Sequence, residues 1–152
     1  MTDIALTWDA AHGGAEMTLA AADLATGDEL ASAVLLSLFC WRRAAADDRL
    51  PWPEHPRLGW WGDSFATQEG DRFGSRLWLL QRETITAETL SRARIYAKEA
   101  LAWLVEDKVA ERVEVEVERQ GLDRVALRVT IIRGPARAID MRFDDLWRQI
   151  RG

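Results

Sequence analysis

The sequence predicts an α+β fold, with a small antiparallel or mixed sheet packed against two main helices, and three observations carry that prediction. Two-residue alternation over 113–131 gives paired strands, helical spacing of apolar residues over 30–41 and 90–104 gives helices, and the segment 47–74 between those helices keeps no period. At 152 residues, 48% hydrophobic and 30% charged, the chain suits a single domain over 1–152 that buries roughly 68–70% of its unfolded surface.

The elements follow in order. Ile4, Leu6 and Trp8 alternate with polar or small residues, Gly13 and Gly14 turn the chain, and Met17 and Leu19 alternate again, which predicts an N-terminal β-hairpin. Leu30, Val34, Leu38 and Trp41 then recur at spacings of four, four and three, a helix that starts near Gly27-Asp28 with Asp28 and Glu29 at its positive end. From Asp47 to Gly74 the chain holds three of its four prolines and four of its ten glycines, so it reads as a long irregular loop, and its tryptophans argue against simple disorder. Leu77, Trp78, Leu79 and Leu80 resume an apolar helical or extended segment.

The clearest helix is "TAETLSRARIYAKEALAWLVED". Thr86 is its N-cap, Leu90, Ala93, Ala97, Leu101 and Leu104 form its core face, and Glu88 and Arg92 form an i,i+4 pair. Tyr96 and Trp103 mark a second, exposed stripe with Arg92 and Glu99, free to meet another element or another chain. Two strands turn around Gly121, and a register that sets Glu118 opposite Arg124 also sets Glu114 opposite Arg128 and Val115 opposite Leu127. After Gly134-Pro135, "ARAIDMRF" supplies a third strand and "DDLWRQI" a terminal helical turn.

Composition excludes several functions. A net charge of −5 and a pI near 5.1, without a basic block, argue against nucleic-acid binding. The longest apolar run, Ala33 to Trp41, falls well short of the roughly 20 residues that span a bilayer, and the N-terminus lacks the pattern of a secretory signal. A soluble protein made in the cytoplasm is expected, with the lone Cys40 a buried thiol in a reducing compartment. One Cys and two distant His give no metal-site pattern, and the glycine-rich and G-x-S-x-G motifs of nucleotide sites and esterases are absent, so no metal or cofactor is expected. Adjacent carboxylates at Asp47/Asp48, Glu106/Asp107 and Asp144/Asp145 are ordinary on a chain with 25 acidic residues.

Tryptophan is the remaining signal. Trp8, Trp41 and Trp103 fall on periodic elements and read as core. Trp52, Trp60 and Trp61 lie in the loop, where three roles stay open: a local mini-core, a sugar-stacking platform, or an anchor at a protein interface. In "LGWWGDS" the glycines let the backbone turn beside two large rings, and Asp63 reads as a turn or cap residue.

"GWWGDSF" followed by "GSRLWLLQRE", the helix "YAKEALAWLVEDKVAERVEVEV", a last hairpin before "RFDDLW" and the first helix "LATGDELASAVLLSLFCWRRA" together resemble the small baseplate-wedge protein family of Mu-like contractile-tailed phages and prophages. That family is similar to the wider small-wedge group of contractile injection systems, which carries a Glu-Pro-Arg motif near the end of the long helix. Here that region reads Trp103-Leu104-Val105-Glu106-Asp107-Lys108, so Glu106 carries over and the proline and arginine do not. The resemblance implies a non-enzymatic subunit that assembles in the host cytoplasm and then resides in the virion tail baseplate. It would join a larger wedge subunit through a helical core bundle, with its sheet near tail tube and sheath proteins. The partner-binding residues implied are Trp60, Trp61, Arg76, Trp78, Tyr96, Trp103 and Glu106. The alternative, from loop tryptophans, carboxylates and the older description of a relative as a tail lysozyme, is a peptidoglycan-cleaving glycosidase, which needs opposed carboxyls across a cleft.

Overall fold

Alternating valines and glutamates leave one side of a strand apolar, and a sheet of three antiparallel strands with such a side forms one wall of the core. A computed structural model describes residues 6–9, 11–12, 14–17, 19–20, 23–24, 29–65, 72–135 and 138–151; Ile4, Gly13, Gly27 and Asp28, and residues 66–71 of the loop, lie outside them. In chain order come β1 (Leu6–Asp9), β2 (Gly14–Met17), β3 (Leu19–Ala20), β4 (Asp23–Leu24), α1 (Glu29–Phe39), α2 (Ala87–Ala100), α3 (Trp103–Glu106), β5 (Arg112–Gln120), β6 (Arg124–Ile132), β7 (Ala138–Phe143) and α4 (Leu146–Arg151). Single turns of 3₁₀ helix occupy Trp61–Phe65 and Leu77–Leu80. The α+β expectation holds, with antiparallel sheets. Among the described residues no helix is long and apolar enough to cross a membrane.

The main sheet runs β5-β6-β7. Val115, Val117, Val125, Leu127, Val129, Ile131 and Phe143 are buried on its apolar side, with α2 against β5 and α4 against β6. The register differs from the expected one by two residues: Gln120 faces Arg124, Val117 faces Leu127 and Glu116 faces Arg128. A three-residue turn closes the hairpin, because Gly121 takes φ +79° and the Arg119 guanidinium donates to the carbonyls of Gly121 and Leu122 at 2.7 and 2.8 Å. A two-residue slip keeps each side chain on its face, so the apolar side survives. The expected Glu114–Arg128 pair does not form; Arg128 grips Asp140 on β7.

The hairpin β1-β2 forms as expected and lies on α1, where Trp8 stacks on Phe39 at 4.8 Å and meets Phe143 edge-on at 5.1 Å. Met17 and Leu19, expected on one returning strand, fall in separate two-stranded sheets, Leu19 pairing with Leu24. Helix α1 buries Val34, Leu35 and Leu38 but stops at Phe39. The chain then extends alongside Ser75, with Arg42 N donating to Ser75 O and Ser75 N to Cys40 O, both at 2.9 Å. Trp41 is therefore not core but 42% exposed, and Cys40 is half-buried rather than buried. Burial pushes the Cys40 thiol up, away from thiolate chemistry.

The long helix also departs from expectation. Thr86 caps α2 by accepting from Thr89 N at 3.2 Å, but the helix ends at Ala100 and a turn at Leu101-Ala102 precedes α3. The break keeps Leu101 and Leu104 in the core and brings the Trp103 indole to Ser37 Oγ at 3.1 Å. Arg92 does not hold Glu88; it donates to Glu83 at 3.2 Å and reaches the Tyr96 hydroxyl at 3.5 Å.

Candidate partner-binding site

The Arg76 guanidinium ties the irregular loop to the core. Arg76 donates from Nη1 to Asp48 at 2.9 and 3.1 Å and from Nε to Glu99 at 2.9 Å, and it lies 4.6 Å from the centre of the Tyr96 ring. Burial opposes its charge, but the hydrogen bonds it donates to Asp48 and Glu99 outweigh that, and its pKa lies above the ordinary arginine value. Asp48 also accepts from Ala45 N, and the Arg57 guanidinium holds the carbonyls of Ala45 and Ala46. The fork that grips two carboxylates at once is a geometry lysine lacks.

Beyond this anchorage the chain passes through Leu58, at φ +42°, and Gly59, at φ +124°, into Trp60. The Trp60 indole folds back over Gly62, where an added Cβ would lie 2.3 Å from the ring, and packs on Phe73 with ring centres 5.3 Å apart. Asp63 acts as the expected turn residue: its N–H donates to Trp60 O and its Oδ1 accepts from Phe73 N, both at 3.1 Å. Trp61 and Phe65 then project together, 74% and 77% exposed, with ring centres 6.1 Å apart. Trp60, itself 48% exposed, is their buttress.

A second aromatic group lies at the base of the loop. Trp41 stacks on Trp78 at 5.4 Å, His55 lies against both, Trp52 stacks on His55 at 5.1 Å, and Arg82 covers Trp52 at 5.8 Å. The Trp78 indole donates to Arg42 O at 2.8 Å, which fixes the stack to the extended segment.

The residues expected to bind a partner thus separate. Trp60 and Trp61 face outward, and Glu106 is exposed at the end of α3. Trp78 and Tyr96 are buried, Trp103 is half-buried against α1, and Arg76 is a clamp within the fold. The stripe of Tyr96 and Trp103 is therefore not exposed: segment 76–83 and α1 cover it. Phe65 was missed, although its aromatic character four residues after Trp61 was visible, and so was the outward face of Trp41.

Sites for chemistry are sparse among the described residues. A cavity of about 50 Å³ beside Trp41 and Trp78 is lined by no carboxylate. Asp9, His12 and Glu16 bring ligand atoms within 4.8 Å of one another at the first hairpin's turn. There Asp9 is already committed: Oδ1 caps Ala11 N at 2.7 Å and Oδ2 bonds the His12 ring. That bond holds the Asp9 carboxyl below its ordinary value and His12 above its own.

Comparison with known proteins assigns the lineage. Residues 30–138, from α1 to the first residue of β7 and including both aromatic groups, match the family described as Phage protein GP46. The baseplate protein gp46 of Escherichia phage Mu is 47% identical over 113 residues, covering 74% of this chain and 72% of that protein. The Mu-like prophage FluMu protein gp46 of Haemophilus influenzae is 34% identical over 132 residues, 87% of each chain. The Mu-like resemblance read in the sequence is borne out, and the chain belongs to the GP46 family of phage proteins.

Proposed function

We propose that the protein is a structural subunit of a contractile phage-tail baseplate wedge, assembled onto a larger wedge protein without catalysis. The observation that carries this reading is the braced pair Trp61 and Phe65, which a monomer exposes at a cost and a partner's pocket would cover. Because Asp63, Gly62 and Trp60 already fix the turn, little ordering entropy is lost on docking. The name of the Mu relative, a baseplate protein, supports the same setting. Glu106, exposed on α3, is a second contact in this reading, and the protein moves from host cytoplasm to the virion tail.

A glycosidase has less support. Among the described residues the cavity beside Trp78 carries no carboxyl, and the carboxyls with shifted affinity, Asp9 and Asp140, are pulled down, opposite to what a general acid needs.

The test is co-purification with the large wedge protein encoded in the same phage, together with electron microscopy of tails. Trp61→Ala with Phe65→Ala should weaken the complex at least about 30-fold, from a hot-spot loss of about 2 kcal/mol, and leave tails without baseplates while the free protein melts normally. Unchanged co-purification and intact particles would show that the loop is not the anchor.

A further inference from the structure

The turn of the first hairpin gathers side chains that the partner-binding reading does not use. Asp9 on β1 pairs with Gly14 and Glu16 on β2 pairs with Thr7, so two-residue alternation sets both carboxylates on one face of the hairpin, as diagonal neighbours across the ladder. Trp8, on the opposite face, packs against Phe39 and Phe143. His12 turns its ring back toward the carboxylates: Nδ1 bonds Asp9 Oδ2 and lies 4.0 Å from Glu16 Oε1.

Exposed carboxylates are common and select no ion by themselves. Here an imidazole nitrogen stands between two of them, and the three ligand atoms lie within 4.8 Å of one another. A tetrahedral ion with ligand bonds of about 2.1 Å holds its ligand atoms about 3.4 Å apart. Asp9 and His12 are nearer than that and Glu16 is farther, so an ion requires the first pair to part and the Glu16 arm to swing inward. That arm is exposed, and among the described residues no arginine or lysine holds its carboxylate. Asp9 is already oriented, because Oδ1 accepts from Ala11 N at 2.7 Å and Oδ2 is left to face the ring. Arg148, which reaches Ala11 O at 3.4 Å, is the opposing charge; against two carboxylates and a neutral imidazole the group stays net negative. One nitrogen with two oxygens suits borderline divalent ions such as Zn²⁺, whereas Mg²⁺ and Ca²⁺ take oxygen ligands.

We infer that Asp9, His12 and Glu16 form a binding site for a divalent transition ion of the Zn²⁺ type, held by one imidazole nitrogen and two carboxylate oxygens and bridging the strands of the first hairpin. The ion takes the place of the hydrogen between Asp9 and His12, and water fills its remaining position on the open face. The inference is independent of the baseplate reading.

The test titrates Zn²⁺ into the full-length protein by calorimetry, with the imidazole nitrogens of His12 and His55 followed by NMR. One equivalent should bind and move the His12 nitrogens but not those of His55, and the released hydrogen should make the measured heat depend on the ionisation heat of the buffer. Glu16→Gln and His12→Gln, both at exposed positions, should each weaken binding at least about tenfold, and so should Asp9→Asn, which retains an oxygen to cap Ala11. Mg²⁺ in about hundredfold excess should not compete, and Cys40→Ser should leave the affinity unchanged. No binding up to about 1 mM Zn²⁺, equal competition by Mg²⁺, binding that survives Glu16→Gln or His12→Gln, or binding that is lost with Cys40→Ser would overturn the inference.

Discussion

Two glycines three residues apart do different work around Trp60. At Gly59 an added Cβ would lie 2.7 Å from Arg43 Cβ and 3.1 Å from its Cα, and φ +124° is strained for any L side chain. At Gly62 the clash is with the far edge of the Trp60 ring, which is half-exposed and can swing away. Gly59→Ala should therefore destabilise the protein by about 2–3 kcal/mol, from backbone strain plus forced movement of the 41–44 segment. Gly62→Ala should cost under about 1 kcal/mol but remove much of the near-ultraviolet dichroism of the Trp60–Phe73 contact. Urea unfolding read alongside the spectrum separates the two, and equal losses would mean that the ring is locked. The paired tryptophans and their glycines were legible as an unusual loop. Their division of labour was not, because it depends on Asp63 reaching Phe73, ten residues away, and spacing within a loop carries no period.

At the level of elements, the first hairpin turn is held by a titrating pair. Asp9 accepts from the His12 ring, which lowers the carboxyl and raises the imidazole. A raised His12 stabilises the fold fully below its ordinary value near 6.5, and the effect is lost as pH rises through the folded value. A lowered Asp9 stabilises above its ordinary value near 3.8, and the effect is lost as pH falls through the folded value. The turn is thus tightest between those ordinary values. NMR titration should place the His12 midpoint above 6.5, and Asp9→Asn should bring it back toward 6.5; a midpoint unmoved by that change would show that the pair does not form in solution. The same element scale shows where sequence reasoning stops. Period-two alternation fixed which faces of β5 and β6 are apolar but not their register, since shifts of two preserve every face and only the turn held by Arg119 distinguishes them. Leu38 and Trp41 keep helical spacing past the true end of α1, which is set by pairing with Ser75 far along the chain. The break after Ala100 falls in Ala-Leu-Ala, a run with no stop signal. Helical spacing marks a single core face on α2 and leaves Tyr96 outside it, whereas segment 76–83 buries a second face.

Across the whole molecule, Arg76 is where loop, helix α2 and the 3₁₀ turn at Leu77–Leu80 are joined, and their stability should be coupled through it. Asp48 and Glu99 approach the same guanidinium from segments 51 residues apart, and their side chains are only 10% and 34% exposed. Removing the cation strands the nearly buried Asp48 carboxylate and leaves Glu99 with only Arg42 at 3.8 Å, a larger penalty than the loss of a surface pair. With partial solvent access discounted, Arg76→Ala should cost about 2–3 kcal/mol, and Arg76→Lys about 1–2 kcal/mol because an ammonium cannot fork to both acids. Adding Asp48→Asn to Arg76→Ala should restore part of the loss, since it removes one stranded charge, and the cycle should give a coupling of about 1–2 kcal/mol. The damage should also be local. Amide exchange in 41–57 should accelerate well before exchange in β5 and β6, whose hydrogen bonds do not pass through Arg76. A uniform rise across loop and sheet would mean that the clamp supports the core as a whole. Confined acceleration would mean that Arg76 holds both aromatic groups in place without being needed for the sheet, so its replacement should impair partner binding while leaving a folded protein.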